Sequence, residues 1–205
     1  MRRNGPNIEL KALERSVKEV EARFLTPHLG PPTLTAPNRN EILDVAAYVV
    51  LVHGALENFV EGLAQWVLDK SVTNWTNQKK TTRSTISLLL HHKVPPDDIS
   101  TLSVFDNIRK ALDDAKERMS KVIHDNHGIA LDNLRTLFMP LGVNLPTDTV
   151  LIASLTLLIT IRHQWAHQDR RITKVFKSAS DMQTTVSDCL KLAKKLSDDV
   201  ASIRP

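Results

Sequence analysis

Between Leu158 and Arg171 the chain passes from an apolar run into a polar cluster, Leu158-Ile159-Thr160-Ile161-Arg162-His163-Gln164-Trp165-Ala166-His167-Gln168-Asp169-Arg170-Arg171. An imidazole with a pKa of about 6.5 gives or takes a proton near neutrality. A guanidinium grips a phosphate through parallel hydrogen bonds and steadies negative charge as it develops. Those are the groups that cleavage of RNA by its own neighbouring 2′-hydroxyl needs when no metal takes part. On a helix His163 and His167, four residues apart, point the same way, whereas Arg162 stands roughly 140° from His167 at about 100° per residue. One narrow helix face cannot hold all three. The spacing therefore calls for a pocket completed by a neighbouring element or by the same helix of a second copy across a two-fold axis.

Other residues fill out this reading or compete with it. His53 and Glu57 lie four apart in an otherwise apolar helix, where a buried charge needs a partner. Glu57 then either pairs with an arginine of the bundle or orients Arg162 or His167. Arg170, Arg171 and Lys174 are candidate contacts to an RNA backbone. The plain structural account of Arg162 and His167 is that cations at a helix C-terminus interact favourably with the macrodipole, by roughly 0.3–1 kcal/mol. His163 with His167 is the pair best spaced for a metal. Adjacent His91-His92 and the His124/His127 pair lack the carboxylates or the His-Glu-x-x-His pattern of a metal site, so no metal and no cofactor is expected. Trp66 and Trp75 read as packing residues, and Trp165 suits either packing or base stacking. Cys189 reads as a small buried apolar residue.

The elements that must position these groups are helical. Apolar residues recur at three-and-four spacing over about Asn7–Phe24, and a proline-rich stretch, Thr26–Asn38, reads as an extended linker. Residues Arg39–Asp69 are apolar nearly all round, which predicts the central helix of a bundle. Further helices are expected at about Arg83–His92, Leu102–His124, Ala130–Phe138, from an N-cap at Thr147-Asp148 to His167, and over Ser180–Ile203. No strand-like alternation of useful length interrupts them. The fold class is all-α, an antiparallel bundle of six to seven helices, with residues 1–38 as an N-terminal helix and linker and 39–205 as the bundle of a single domain.

The 205 residues are 41% hydrophobic and 24% charged, near globular averages, and Lys and Arg number 27 against 23 Asp and Glu, a mild excess that favours contact with a polyanion. A single cysteine excludes an internal disulfide framework and a multi-cysteine zinc site. The basic N-terminus runs into Ile8-Glu9-Leu10-Lys11 rather than a signal-peptide core, and the apolar stretches around 45–56 and 150–161 read as too short to span a bilayer. A cytoplasmic protein with no membrane contact is expected.

Arg162-His163-Gln164-Trp165-Ala166-His167 after an apolar helix resembles the Arg-polar-x3-His signature of the HEPN superfamily. Leu51-Val52-His53-Gly54-Ala55-Leu56-Glu57-Asn58-Phe59-Val60 resembles the second helix of such domains. Asn126-His127-Gly128-Ile129 through Leu131-Asp132-Asn133-Leu134 to Leu141-Gly142-Val143 is similar to the RiboL-PSP-HEPN branch. The likeness runs from about Arg39 to His167. It implies a homodimeric, metal-independent endoribonuclease, commonly a toxin or antiviral effector, with RNA as substrate and a neutralising antitoxin as possible partner. His167 would be the general base or acid, Arg162 the phosphate ligand, His163 an assistant and Glu57 an orienting group. The residue after the arginine is often Asn in the family and is His163 here. Two other readings share the fold: a non-catalytic interaction scaffold, and a nucleotide-binding or modified member of a toxin–antitoxin pair.

Overall fold

The structure is a computed structural model that describes residues 5–30, 37–92, 103–167 and 177–203, with the backbone alone at 104, 166 and 167. Seven α-helices account for most of the described residues: α1 (Pro6–Phe24), α2 (Arg39–Gln78), α3 (Arg83–His92), α4 (Val104–His124), α5 (Leu131–Phe138), α6 (Thr149–His167) and α7 (Ala179–Ile203). Helix makes up 83% of the structure and no strand occurs among the described residues, so the protein is all-α.

Local chemistry explains most helix starts. α1 begins at a proline, whose fixed φ and missing N–H suit a first helical position. Ser103 Oγ accepts a hydrogen bond from the Asp106 amide at 3.2 Å and caps α4. Asp148 Oδ1 accepts from the amides of Val150 (3.2 Å) and Leu151 (3.3 Å), the cap read at Thr147-Asp148. At α7 the Ser178 hydroxyl accepts from the Asp181 amide (3.1 Å) while the Asp181 carboxylate accepts from the Ser178 amide (3.3 Å), a reciprocal box.

Three expectations are revised. α2 runs past Asp69 to Gln78, because Leu68, Val72 and Trp75 continue a buried stripe whose burial outweighs the poor helix propensity of Val72, Thr73 and Asn74. Within the stretch read as an extended linker, Thr26–His28 form a 3₁₀ turn, tied down by His28 Nε2 and Asp44 Oδ2 at 2.8 Å; residues 31–36 lie outside the described residues. Finally, an all-apolar helix is not an all-buried one. Leu43, Val50 and Leu51 of α2 are exposed, and the helix is long and apolar enough by length and composition to cross a membrane, with 44% of that stretch buried in the protein.

The chain divides into two compact units, and α1, α2 and α7 supply residues to both. One comprises Met1–Glu9, Val60–Pro146 and Lys195–Pro205. Its core includes Leu63, Leu68, Leu88, Leu112, Met119, Leu137, Phe138 and Leu141, all essentially inaccessible to water. Asn126 ties its loop to α2: the side-chain amide donates to Glu61 Oε1 (2.9 Å) and the Gly128 carbonyl (3.0 Å), and its oxygen accepts from Asn133 (3.2 Å). The second unit comprises Leu10–Phe59 and Thr147–Lys194. Val17, Tyr48, Val49, Val52, Leu158, Ile161, Met182 and Val186 are buried in it, and it contains the polar cluster at the end of α6.

Candidate functional site

α6 and α7 are joined by Ser154 Oγ donating to Asp188 Oδ2 at 3.0 Å, with Lys191 Nζ on the other carboxylate oxygen at 2.8 Å. These hydrogen bonds, Lys191 first, hold the Asp188 carboxyl below its usual pKa and keep it charged. Along α6 the buried residues Leu151, Leu155 and Leu158 recur at four and three. Four residues on from Leu158, Arg162 continues that register and is half-buried, while His163, turned roughly 100° further, is exposed. Arg162 thus projects along the line of the helix's buried stripe.

On α2 the residues Ala46, Val49, His53, Leu56 and Val60 follow the same kind of register and are all buried. His53 is 5% exposed, and its Nδ1 lies 3.9 Å from Glu57 Oε2, one turn along the helix. Burial lowers the pKa of His53, and the positive charge of Arg162 lowers it further. That electrostatic effect links a cation of α6 with a buried imidazole of α2, which has the Glu57 carboxylate one turn along its own helix. A neutral imidazole carries one donor and one acceptor, a guanidinium only donors, and a carboxylate only acceptors.

Of the residues singled out in the sequence, Arg162 and Glu57 both belong to this unit, and Glu57 Oε2 has His53 Nδ1 at 3.9 Å. α6 continues through His167, whose side chain is outside the description. Arg170, Arg171 and Lys174 lie outside the described residues altogether. His53 was noted in the sequence only as a neighbour of Glu57. The signal that would have singled it out is its place on the buried stripe of α2, a polar residue where each neighbouring stripe position is apolar.

Two further groups in the unit are unsuited to proton transfer near neutrality. Burial, with Glu21 adding to it, pushes the Tyr48 phenol well above its usual range, and burial with Asp188 nearby pushes the Cys189 thiol up to about 12. Among the described residues no group of three or more His, Cys, Asp or Glu is placed to hold a metal ion.

The family model for RiboL-PSP-HEPN matches residues 21–202. The chain belongs to the RiboL-PSP-HEPN family. No curated protein and no solved structure matches it significantly. Membership in the HEPN superfamily places this all-α chain among nuclease-like, RNA-related folds. Within this HEPN chain the matched span takes in the whole of α2 and α6, and with them His53, Glu57, Arg162 and His167.

Proposed function

We propose that this HEPN protein is a metal-independent endoribonuclease. His167 acts as general base or acid, Arg162 binds the scissile phosphate and stabilises its developing charge, His163 assists, and Glu57 orients. The 2′-oxygen loses its proton to the base and attacks the adjacent phosphorus; the bond to the 5′-oxygen breaks and that oxygen takes up a proton. The products are a 2′,3′-cyclic phosphate and a free 5′-hydroxyl. Arg170, Arg171 and Lys174 hold the RNA backbone, and a homodimer brings two sets of these groups around one cleft. A cytoplasmic toxin or antiviral effector, held in check by an antitoxin, fits that activity.

The observation that carries the reading is the position of Arg162, on the buried register of α6 with its charge acting on His53, where a helix-end cation of structural use alone would be free to extend into water. The test is cleavage of a labelled structured RNA in excess EDTA by wild type, Arg162→Ala and His167→Ala, with helicity and oligomeric state verified. Cyclic-phosphate products from wild type alone support the reading; no cleavage, or equal cleavage by all three, overturns it. The exposed Leu43, Val50 and Leu51 of α2 favour the second reading, a non-catalytic scaffold for protein–protein contact. That reading expects both substitutions to leave cellular toxicity and partner binding unchanged.

A further inference from the structure

The outer face of the first half of α2, which lies wholly in the second unit, is apolar and open to water. Leu43, Val50 and Leu51 are 47%, 42% and 45% exposed, and Ala47 and Gly54 are half-buried among them. No charged side chain lies on that face from Leu43 to Gly54: Asp44 pairs with His28, and His53 is buried. A solvated helix face ordinarily carries charge. Leu43, Ala47, Val50 and Gly54 follow the four-three-four spacing of a coiled-coil seam and stand in one line along the helix. We infer that this line is the seam on which a second copy of the chain docks, with the two α2 helices antiparallel across a two-fold axis between Tyr48 and Val49.

Three observations favour a second copy over any other occupant. The line is its own complement, as a two-fold contact requires. An axis at its middle sets Leu43 opposite the partner's Gly54 and Val50 opposite the partner's Ala47, so at every crossing a large side chain enters the gap left by a small one. Nothing in its own chain calls for Gly54. Its φ is not left-handed, a Cβ there would meet nothing within 4 Å, and glycine weakens a helix interior. What it provides is space on the outward side. The ends of the seam match as well: the same axis sets Glu57 opposite the partner's Asn40 and Asn58 opposite the partner's Arg39, acceptors of one copy facing donors of the other in a polar rim. A parallel pair would instead set Glu57 against Glu57, Arg39 against Arg39 and glycine against glycine. From Arg39 to Asn58 the helix is about 28 Å long at about 1.5 Å per residue. One helix pair of that length is at the small end of specific interfaces, so the dimer is expected to form and dissociate over micromolar concentrations. The seam gives the homodimer of the ribonuclease reading its surface, and it rests on that reading only for its bearing on cleavage.

Sedimentation velocity of the full chain over about 1–200 μM tests the seam in wild type, Val50→Lys, Gly54→Leu and the double variant Leu43→Ala/Gly54→Leu, each checked for helicity. Wild type is expected to dimerise. Val50→Lys puts a charge near the centre of the seam, and Gly54→Leu fills the space that the partner's Leu43 occupies; each is expected to weaken self-association at least about 30-fold. The double variant exchanges large and small across the seam and is expected to regain most of that loss. Wild type that stays monomeric throughout leaves the face to another partner and overturns the inference, as does a Val50→Lys variant that associates like wild type. A double variant no better than Gly54→Leu overturns the antiparallel register. Mass is read without RNA, so a chain that dimerises through this seam and cleaves no RNA refutes the ribonuclease reading alone, and one that cleaves RNA as a monomer refutes the seam alone.

Discussion

The positive charge of Arg162 on α6 and the burial of His53 on α2 act in the same direction on the imidazole, each favouring its neutral form. A neutral histidine beside a guanidinium can accept from it, and an ionised one would repel it. The coupling links a buried residue of α2 to the helix that carries the Arg-x4-His motif.

Arg162 should tolerate no cationic substitute. Lysine keeps the charge but loses the planar fork that spans two phosphate oxygens. Arg162→Lys is expected to lower kcat for RNA cleavage by about 10²-fold, on the scale of losing one oriented donor to a transition-state oxygen. Single-turnover cleavage in EDTA measures it.

Acid should weaken the fold before its carboxylates titrate. His53 and His92 both have pKa values lowered from 6.5: His53 by burial and then Arg162, His92 by burial and then His91 and Arg118. The unfolded chain therefore binds protons at these positions more readily than the folded one, so stability rises with pH through the window between the lowered values and 6.5 and is lost as pH falls through it. Asp188, lowered from 3.8, has its effect at lower pH than that window. Urea midpoints are expected to drop between about pH 7.5 and about pH 5.5, and to drop less in a His53→Gln/His92→Gln double variant.

Asn126→Ala removes both donors to Glu61 and Gly128 and the acceptor of Asn133. The part-buried partners lose their bonds at once. A loss of about 1–3 kcal/mol in urea unfolding is expected, with faster amide exchange over residues 126–130.

Two glycines should respond oppositely to alanine. Gly142 has φ +70°, and a Cβ there would stand 3.1 Å from Ser87 Cβ and 3.4 Å from the Arg83 carbonyl oxygen. Gly142→Ala is expected to cost about 1–2 kcal/mol from the left-handed backbone alone. Gly54, inside α2, has nothing within 4 Å of such a Cβ, and Gly54→Ala is expected to stabilise by about 0.5–1 kcal/mol. Thermal melting of the two variants checks both signs.

Much of this protein is determined by neighbouring residues in the chain. The three-and-four recurrence of Leu10, Leu13 and Val17, the Ser103 and Asp148 caps, and the Gly128 and Pro140 breaks are local signals, and the helices start and stop within a few residues of them. The exception at the end of α2 has a tertiary cause, since burial of Val72 and Trp75 extends a helix that propensity alone would end. The Arg-x4-His motif is equally local, and so is the register that turns Arg162 towards the buried side of α6. Sequence periodicity cannot say which helix faces that arginine, because nothing along α6 encodes its neighbour. Packing decides that: burial removes water from around the His53 imidazole, and only in that drier surrounding does the Arg162 charge from another helix tell on its protonation.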